Sequence, residues 1–426
     1  MTKILKVLWV SLVKFPPLCA VLSEPAPAHC GWMYASAKAM LKKMPEVKLG
    51  VIVYSYEKKY KRFDIDGIVY YLVPSARIDK ATSKQIEFCR KAINDFNPNL
   101  IHIHGTEHSL AKAVCMANKN NIRMVANIQG LAGPYMRYAD GGLSLYDKLC
   151  NITLLDFYRG TFLLKTKQRF KLRAKCEYYV LTHITDVVGR TTWDHDHAVT
   201  INPQLHYHFM NETLRDSFYE KPIWNYNQCK KHTIFVSNSS TPLKGAHQVL
   251  KALPVILKQF PDTIVNFCGS SVMSNNWMEK LHFQGYHLYL RRLVKQLQLQ
   301  KHVCFLGELS EEQMKQQFLD AHVYVMPSAI ENSPNSLCEA QMLGTPVVAS
   351  YCGGTPSLLK DGETGYFYRY EEYEMLAQII IYLFKQENYI CLSSAERKIA
   401  RDRHNRERNA SRIVEIYLNI MNSKYV

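Results

Sequence analysis

Along the second half of the 426-residue chain, short runs of β-branched and aromatic residues alternate with longer stretches whose apolar positions recur at helical spacing. The short runs predict strands at Thr233–Ser237, Ile264–Cys268, Val303–Leu306, Val323–Met326, Val347–Ala349 and Tyr366–Tyr368. The stretches between them predict helices near Ala246–Lys258, Leu288–Leu297, Glu311–Asp320, Leu337–Leu343, Pro356–Lys360 and Glu372–Phe384. Ser310 followed by Gln313 makes a capping box for the third of these. A regular β-then-α alternation predicts a parallel sheet with helices on both faces.

The first half repeats the pattern less cleanly. Strands are predicted at Ile4–Ser11, Leu49–Tyr54, Ile68–Val73, Leu100–His104, Met124–Ile128 and Asp186–Gly189. Helices fit near Trp32–Lys43, Lys80–Phe96, Ser109–Asn120 and Thr192–His197, and Arg408–Met421 reads as one more. A polar stretch carrying Pro222, Asn225 and Asn227 marks a boundary near residues 205–230. The reading is therefore α/β, with two Rossmann-like, doubly wound domains of similar size. A chain of this length exceeds what one core usually organises. In such sheets ligands bind beyond the carboxyl ends of the strands, and most of the residues singled out below follow a predicted strand.

Composition narrows the class. Hydrophobic residues make up 47% of the chain, too many for disorder. A formal charge of +16 favours acidic partners such as a phosphorylated substrate, anionic lipid or nucleic acid. The twelve cysteines are scattered without a CxxC pair, which reads as reduced, cytosolic thiols. Lys3 and Lys6 ahead of Val7–Val13 imitate a signal peptide, but Lys14 and Phe15-Pro16-Pro17 end the apolar run and no small-residue cleavage site follows. No stretch approaches the ~18 uninterrupted apolar residues of a membrane span.

The most specific signal is an ordered block. It runs from Met326-Pro-Ser through Glu331 and Glu339 to Gly344-Thr-Pro-Val-Val-Ala-Ser350, then Gly353-Gly354 and Asp361-Gly-Glu-Thr-Gly365. A bare pair of glutamates eight positions apart arises by chance; the order of small, turn-forming and apolar residues around it does not. This block resembles the C-terminal signature of glycosyltransferase family 4, retaining enzymes of the GT-B fold, in which two Rossmann-like domains face each other across a cleft. The wording Glu331-Asn-Ser-Pro-Asn-Ser is similar to bacterial capsular and exopolysaccharide members. The resemblance extends through Thr233–Gly269 and, more weakly, over most of the chain. It implies an N-terminal acceptor-side domain over 1–205, a donor-binding domain over 206–405, and a segment 406–426 crossing back to the first domain.

The physics of a helix start agrees with the roles implied. A helix beginning near Asn335 presents unpaired N–H groups and a positive dipole end to a diphosphate. Glu339, one turn further, can accept hydrogen bonds from ribose hydroxyls. Glu331, on the preceding loop, is placed by the resemblance on the transferred sugar. Lys244-Gly245 matches the family's Lys-Gly, whose cation neutralises the leaving diphosphate, and Gly269 joins the donor-binding set. Position 238 is Asn where the family carries Arg, so Asn238 offers a hydrogen bond without charge, and Arg190 is the candidate second cation. Pro334 stands where the family usually has Gly; it offers no N–H, which shifts phosphate contacts to Asn335 and Ser336. In the first half only Gly31 of the family's Gly-Gly is retained, after Cys30. Leu100–His104 resembles the family strand that ends in a sugar-contacting His, which assigns His104; His102 shares its face one pair deeper. Asn127-Ile-Gln129-Gly130 ends the next strand and is expected to line the acceptor side.

Other motifs carry less. Asp64-Ile-Asp66 reads as a turn and Asp194-His-Asp196 as part of a helix, not as metal sites, and neither GxGxxG nor a Walker A motif occurs. The stretch Arg159–Lys175 interleaves six further cations with Phe and Leu, as a helix on an anionic membrane would, or a solvated helix face. The expected protein is a cytoplasmic, metal- and cofactor-independent, retaining hexosyltransferase using a UDP- or GDP-sugar. Its acceptor is a glycan or polyprenyl-linked lipid in cell-surface polysaccharide synthesis, with peripheral contact to the cytoplasmic membrane's inner face. The competing readings are a GT-B-fold nucleotide-sugar epimerase or phosphorylase and a basic nucleic-acid-binding protein. Only charge supports the last, so no nucleic acid is expected as partner.

Overall fold

The structure, a computed structural model, describes residues 5–25, 31–55, 59–76, 80–160, 162–269, 272–273 and 283–423. The chain forms two compact units. The first comprises residues 1–134, 170–215 and 404–426, and the second residues 135–169 and 216–403.

The first unit is built on an eight-stranded sheet. Its strands are β1 (Lys6–Ser11), β2 (Lys48–Ser55), β3 (Lys61–Ile65), β4 (Ile68–Pro74), β5 (Leu100–His104), β6 (Arg123–Asn127), β7 (Asp186–Gly189) and β8 (His206–Phe209), in the order β3-β4-β2-β1-β5-β6-β7-β8. All neighbours are parallel except β3, which pairs antiparallel with β4 at the edge. Central strands such as β1 are buried over nearly their whole length, which is why they read as near-continuous apolar runs. One face packs on the helices Ser83–Phe96, Ser109–Ala117 and Thr166–Leu181. The other packs on Gly31–Lys43 and on the C-terminal helix Arg406–Asn422, through Ile413, Ile416, Tyr417 and Ile420. Tyr417 fixes that last helix to the sheet: its Oη accepts from Trp9 Nε1 at 3.0 Å and lies 2.5 Å from His102 Nδ1, all buried.

The second unit carries a six-stranded, fully parallel sheet. Its strands are β9 (Thr233–Val236), β10 (Ile264–Phe267), β11 (Val303–Phe305), β12 (Val323–Met326), β13 (Val347–Ser350) and β14 (Tyr366–Tyr368), in the order β11-β10-β9-β12-β13-β14. The helices Ala246–Leu257, Gly285–Gln296 and Tyr373–Phe384 close the core over β9, β10, β12 and β13. Both expected halves of the Ser310–Gln313 capping box form, at 2.9 and 3.3 Å. The helix expected at Pro356–Lys360 is instead a 3-10 turn, Thr355–Ser357. Thr355 Oγ1 accepts from Cys352 N and donates to backbone carbonyls, which ties the chain into a tight loop.

The division differs from 1–205, 206–405 and 406–426 in two ways. The first unit runs on through β8, inside the polar stretch, to residue 215. Residues 135–169 group with the second unit, because specific anchors hold them there. Gly141 O accepts from Tyr370 Oη at 2.8 Å and pairs with His247 Nε2 at 3.0 Å, Asp156 accepts from Gly285 N, and Asp147 pairs with Arg292. Gly141 has φ +59°, and a Cβ there would stand 2.2 Å from Pro242 O.

Candidate functional site

In the second unit the loops following β9, β12 and β13 lock together. Gly245, at φ +70°, ends the 3-10 turn Pro242–Lys244 and starts the helix Ala246–Leu257. A Cβ on it would fall 1.7 Å from Pro327 O, so only glycine lets the β9 loop approach the β12 loop this closely. Ala329 N donates to Leu243 O at 2.8 Å across the same junction. From the other side, Gly353 has φ +51° and its Cβ position lies 1.9 Å from Glu331 O, while Gly354 N donates to that same carbonyl at 2.9 Å. Ser350 Oγ donates to Ser328 O. The three loops thus clamp residues 327–331 in one conformation.

That clamp sets the side chain of Glu331. It is buried, and its Oε1 accepts from Lys244 Nζ at 2.5 Å and from Ser328 Oγ at 2.8 Å. The two residues assigned separate roles by sequence are one ion pair. Lys244 therefore stands at a fixed point, at the carboxyl edge of the parallel sheet, with donors to spare beyond the one Glu331 takes.

Next to the pair begins the helix Asn335–Leu343, with Pro334 as N-cap and Gly344, at φ +82°, ending it. Leu337 N and Cys338 N both donate to Pro334 O, so the amides of Asn335 and Ser336 lie ahead of the intrahelical ladder. Ser336 Oγ accepts from Tyr324 Oη at 2.9 Å, and that hydroxyl is 2.9 Å from Ser237 Oγ. This hydroxyl chain fixes the helix start to Tyr324 of β12 and to Ser237 just past the end of β9. Burial raises the Tyr324 phenol well above its ordinary value, so it remains a donor. Glu339 lies buried on the second turn. Asn238 Oδ1 accepts from Ser240 N at 2.9 Å, leaving its amide nitrogen as the donor. Gly269 follows β10 at φ +115°, where a Cβ would stand 2.8 Å from Ser240 Oγ. Lys244 and Glu331 are therefore in direct contact, Gly245 packs against the Pro327 carbonyl beside them, and Asn335 and Ser336 open the helix that follows the Glu331 loop, with Asn238 and Gly269 on the adjoining loops.

The first unit holds a separate polar cluster at the ends of β5 and β6. His104 and Asn127 are buried, and neither ring nitrogen of His104 nor either amide atom of Asn127 meets a protein partner. The His104 ring lies against His102, tilted by 30° at 4.0 Å between centroids. Burial, with Arg190 nearby, lowers its pKa to about 3, so the ring is neutral and can donate at one nitrogen while accepting at the other. Both side chains line a cavity of about 10 Å³ with Trp32, Ser36, Glu212 and Asn409, space for a single water or hydroxyl. His102, whose Nδ1 faces Tyr417, belongs to the anchoring of the C-terminal helix.

Arg190 does not fit the role of second cation at a diphosphate. It is buried in the first unit, pairs with Glu212 at 2.5 Å and donates to Ile128 O at 3.0 Å, so its charge is already balanced. Gly31 opens the helix Gly31–Lys43, while Cys30 before it lies outside the described residues. Asp66-Gly67 forms a left-handed turn, and Asp194, fully buried, closes a capping box with Thr191. Sequence reasoning gave no role to Glu212, Ser328 or Tyr324. Glu212 sits outside every motif, and Tyr324 reads as an ordinary strand aromatic.

Residues 221–403 match the family model described as Glycosyl transferases group 1. Across the whole chain, sucrose-phosphate synthase from Thermosynechococcus elongatus superposes with a TM-score of 0.71 at 14% identity, covering 98% of this chain and 99% of that one. Anabaena HepE, solved with UDP and glucose, superposes at 0.67 and 14% identity, covering 97% and 99%. The fold is GT-B. Among curated proteins, a D-inositol 3-phosphate glycosyltransferase of Corynebacterium urealyticum is 27% identical over 177 residues, 41% of this chain and 40% of that one. Spore coat protein SA of Bacillus subtilis is 29% identical over 143 residues, 32% of this chain. The chain spans 34% of the latter's length, about a third.

Proposed function

We propose that the protein is a retaining, family 4 glycosyltransferase that takes a hexose from a UDP- or GDP-sugar and passes it to a glycan or lipid-linked acceptor. The observation that carries this reading is the clamped Lys244–Glu331 pair beside the Asn335–Leu343 helix start. A lysine and two free amides at a helix N-terminus suit a pyrophosphate. Carboxylates lie on either side, Glu331 on the loop and Glu339 one turn into the helix, suited to hydroxyls of the sugar and of the ribose.

In the proposed step the acceptor oxygen bonds to the anomeric carbon as its bond to the diphosphate breaks, on the same face of the sugar. The diphosphate carries away the bonding electrons and takes up the acceptor's proton. Lys244 and the Asn335 and Ser336 amides stabilise its developing charge. Glu331, paired with Lys244, supports positive charge on the sugar ring. No covalent nucleophile is assigned. Since Lys244 and the amides supply the charge compensation, the reaction requires no metal. In the first unit, the neutral His104 and Asn127 offer both donors and acceptors to a sugar hydroxyl. A role in cell-surface polysaccharide synthesis rests on the wording of the Glu331 block.

The reading is tested by thermal stabilisation with a panel of nucleotide diphosphates and nucleotide sugars. A ligand at one hundred times its Kd adds about 2.7 kcal/mol of stability. Stabilisation by UDP or GDP and its sugar, lost in Glu339→Ala, supports the reading. A flat response across the panel removes it.

A further inference from the structure

The described residues between 138 and 164 in the second unit carry a surface unlike that of the other described residues. Among the described residues, seven of the sixteen large exposed apolar side chains fall in this short segment: Tyr138, Leu145, Tyr146, Leu149, Ile152, Tyr158 and Leu164. Their exposure is high, reaching 64% at Leu145, 69% at Tyr146 and 91% at Tyr158. Leu145 and Leu149 lie one turn apart on the helix Leu145–Leu149, so they share a face. A cluster of this kind marks a docking surface, whereas single exposed apolar residues do not.

The charges of the same segment say what docks. Its acidic residues are Asp140, Asp147 and Asp156; Asp140 and Asp156 are buried, Asp147 is half-buried, and each is paired. Asp140 pairs with Lys148 at 2.6 Å and Lys167 at 3.1 Å, Asp147 pairs with Arg292, and Asp156 is buried against Thr153 and Gly285 N. Arg137, Lys165, Lys167 and Arg169 are exposed. The outer face is thus leucine, isoleucine and tyrosine flanked by cations; each acid of the segment already has a partner, and Lys167 is neutralised by Asp140 while Lys165 and Arg169 have no acidic partner among the segment's described residues. Tyrosines and leucines among Lys and Arg are the composition of a surface lying at a lipid headgroup boundary, where cations meet anionic lipid and apolar side chains enter the acyl edge. The anchors at Gly141, Asp147 and Asp156 hold the segment to the body of the second unit, so the face is presented preformed.

We propose that residues 138–169 dock the protein onto an anionic lipid surface. Leu145, Tyr146 and Leu149 of one short helix, with Tyr158 of the next, enter the interface, and Lys165 and Arg169 meet the headgroups. This goes beyond the glycosyl-transfer reading and does not depend on it.

The test is sedimentation of the full chain with vesicles of phosphatidylglycerol and phosphatidylcholine, against vesicles of phosphatidylcholine alone. Two variants are compared: Leu145→Ser with Tyr146→Ser and Leu149→Ser, and Lys165→Glu with Arg169→Glu. All five side chains are exposed, and unchanged melting of each variant checks that the fold is kept. The wild type is expected to bind the anionic vesicles, and either variant to weaken that binding by roughly tenfold or more. Binding by the wild type should also weaken as salt rises. Failure of the wild type to bind, or full binding by the apolar variant, overturns the proposal. So does self-association abolished by the apolar variant without vesicle binding, which would make the face an interface between copies of this chain.

Discussion

Replacing Gly353 by alanine perturbs the proposed donor site without removing any of its side chains. The residue sits at φ +51°, and the new Cβ would lie 1.9 Å from Glu331 O. An ordinary contact needs about 3.2 Å, so the Glu331 backbone must retreat by roughly 1 Å. The left-handed conformation costs about 1–2 kcal/mol for a residue with a Cβ. Loss of the hydrogen bond from Gly354 N to Glu331 O adds about 1 kcal/mol. The expected destabilisation is about 2–3 kcal/mol, or a drop of roughly 4–12 °C in Tm for a unit of this size. The functional effect should be larger in proportion, because a 1 Å displacement at a reacting centre can cost about 10²-fold in turnover. The assay pairs a thermal melt with release of nucleotide diphosphate from the sugar donor that stabilises the wild type. A folded Gly353→Ala protein with turnover within about twofold of wild type would refute the claim that this clamp positions Glu331.

Other perturbations reach different parts of the account. Tyr417→Phe leaves Trp9 Nε1 and His102 Nδ1 buried without their shared partner; a loss of about 2–4 kcal/mol is expected in urea unfolding, and one under ~0.5 kcal/mol would contradict the anchoring role. Burial, aided by Glu107 and opposed by backbone donors Gly133 and Ala132, raises the Glu177 carboxyl from 4.5 to about 8. Its stabilising contribution is therefore complete below about pH 4.5 and lost as pH rises through about 8. Between pH 6 and 9 the Tm of wild type should fall more than that of Glu177→Gln, and parallel curves would count against the shift. Chelation with EDTA should leave turnover unchanged; loss of activity restored by a divalent cation would show that Lys244 and the amides do not suffice.

Much of the second unit was readable from sequence because its strands are short β-branched runs between punctuating turns. The Ser310–Gln313 box, the glycines at 245 and 353, and both glutamates sit where local rules put them. What was missed depends on distant partners or on weak local signals. β3, Lys61–Ile65, alternates with charged residues at a sheet edge, and β8, His206–Phe209, carries two histidines in four residues. The pairing of Lys244 with Glu331 joins positions 87 apart, and that of His102 with Tyr417 positions 315 apart. No spacing rule reaches so far. Arg190 follows a strand end, as a phosphate-binding cation would, but Glu212 lies in a loop without any motif and takes up its charge. The placement of residues 135–169 is fixed by Gly141, Asp147 and Asp156, three residues whose partners lie 100 or more positions downstream.

The central claim is that Lys244 and the start of the Asn335–Leu343 helix hold a nucleoside diphosphate. Calorimetric titration of UDP and GDP into wild type and Lys244→Ala tests it most directly. The account predicts that one of the two binds the wild type, and that the variant, still folded, binds it about 10- to 100-fold more weakly, as befits loss of a charge-assisted hydrogen bond. Equal affinity in the two proteins, or no binding of either diphosphate to the wild type, would contradict it.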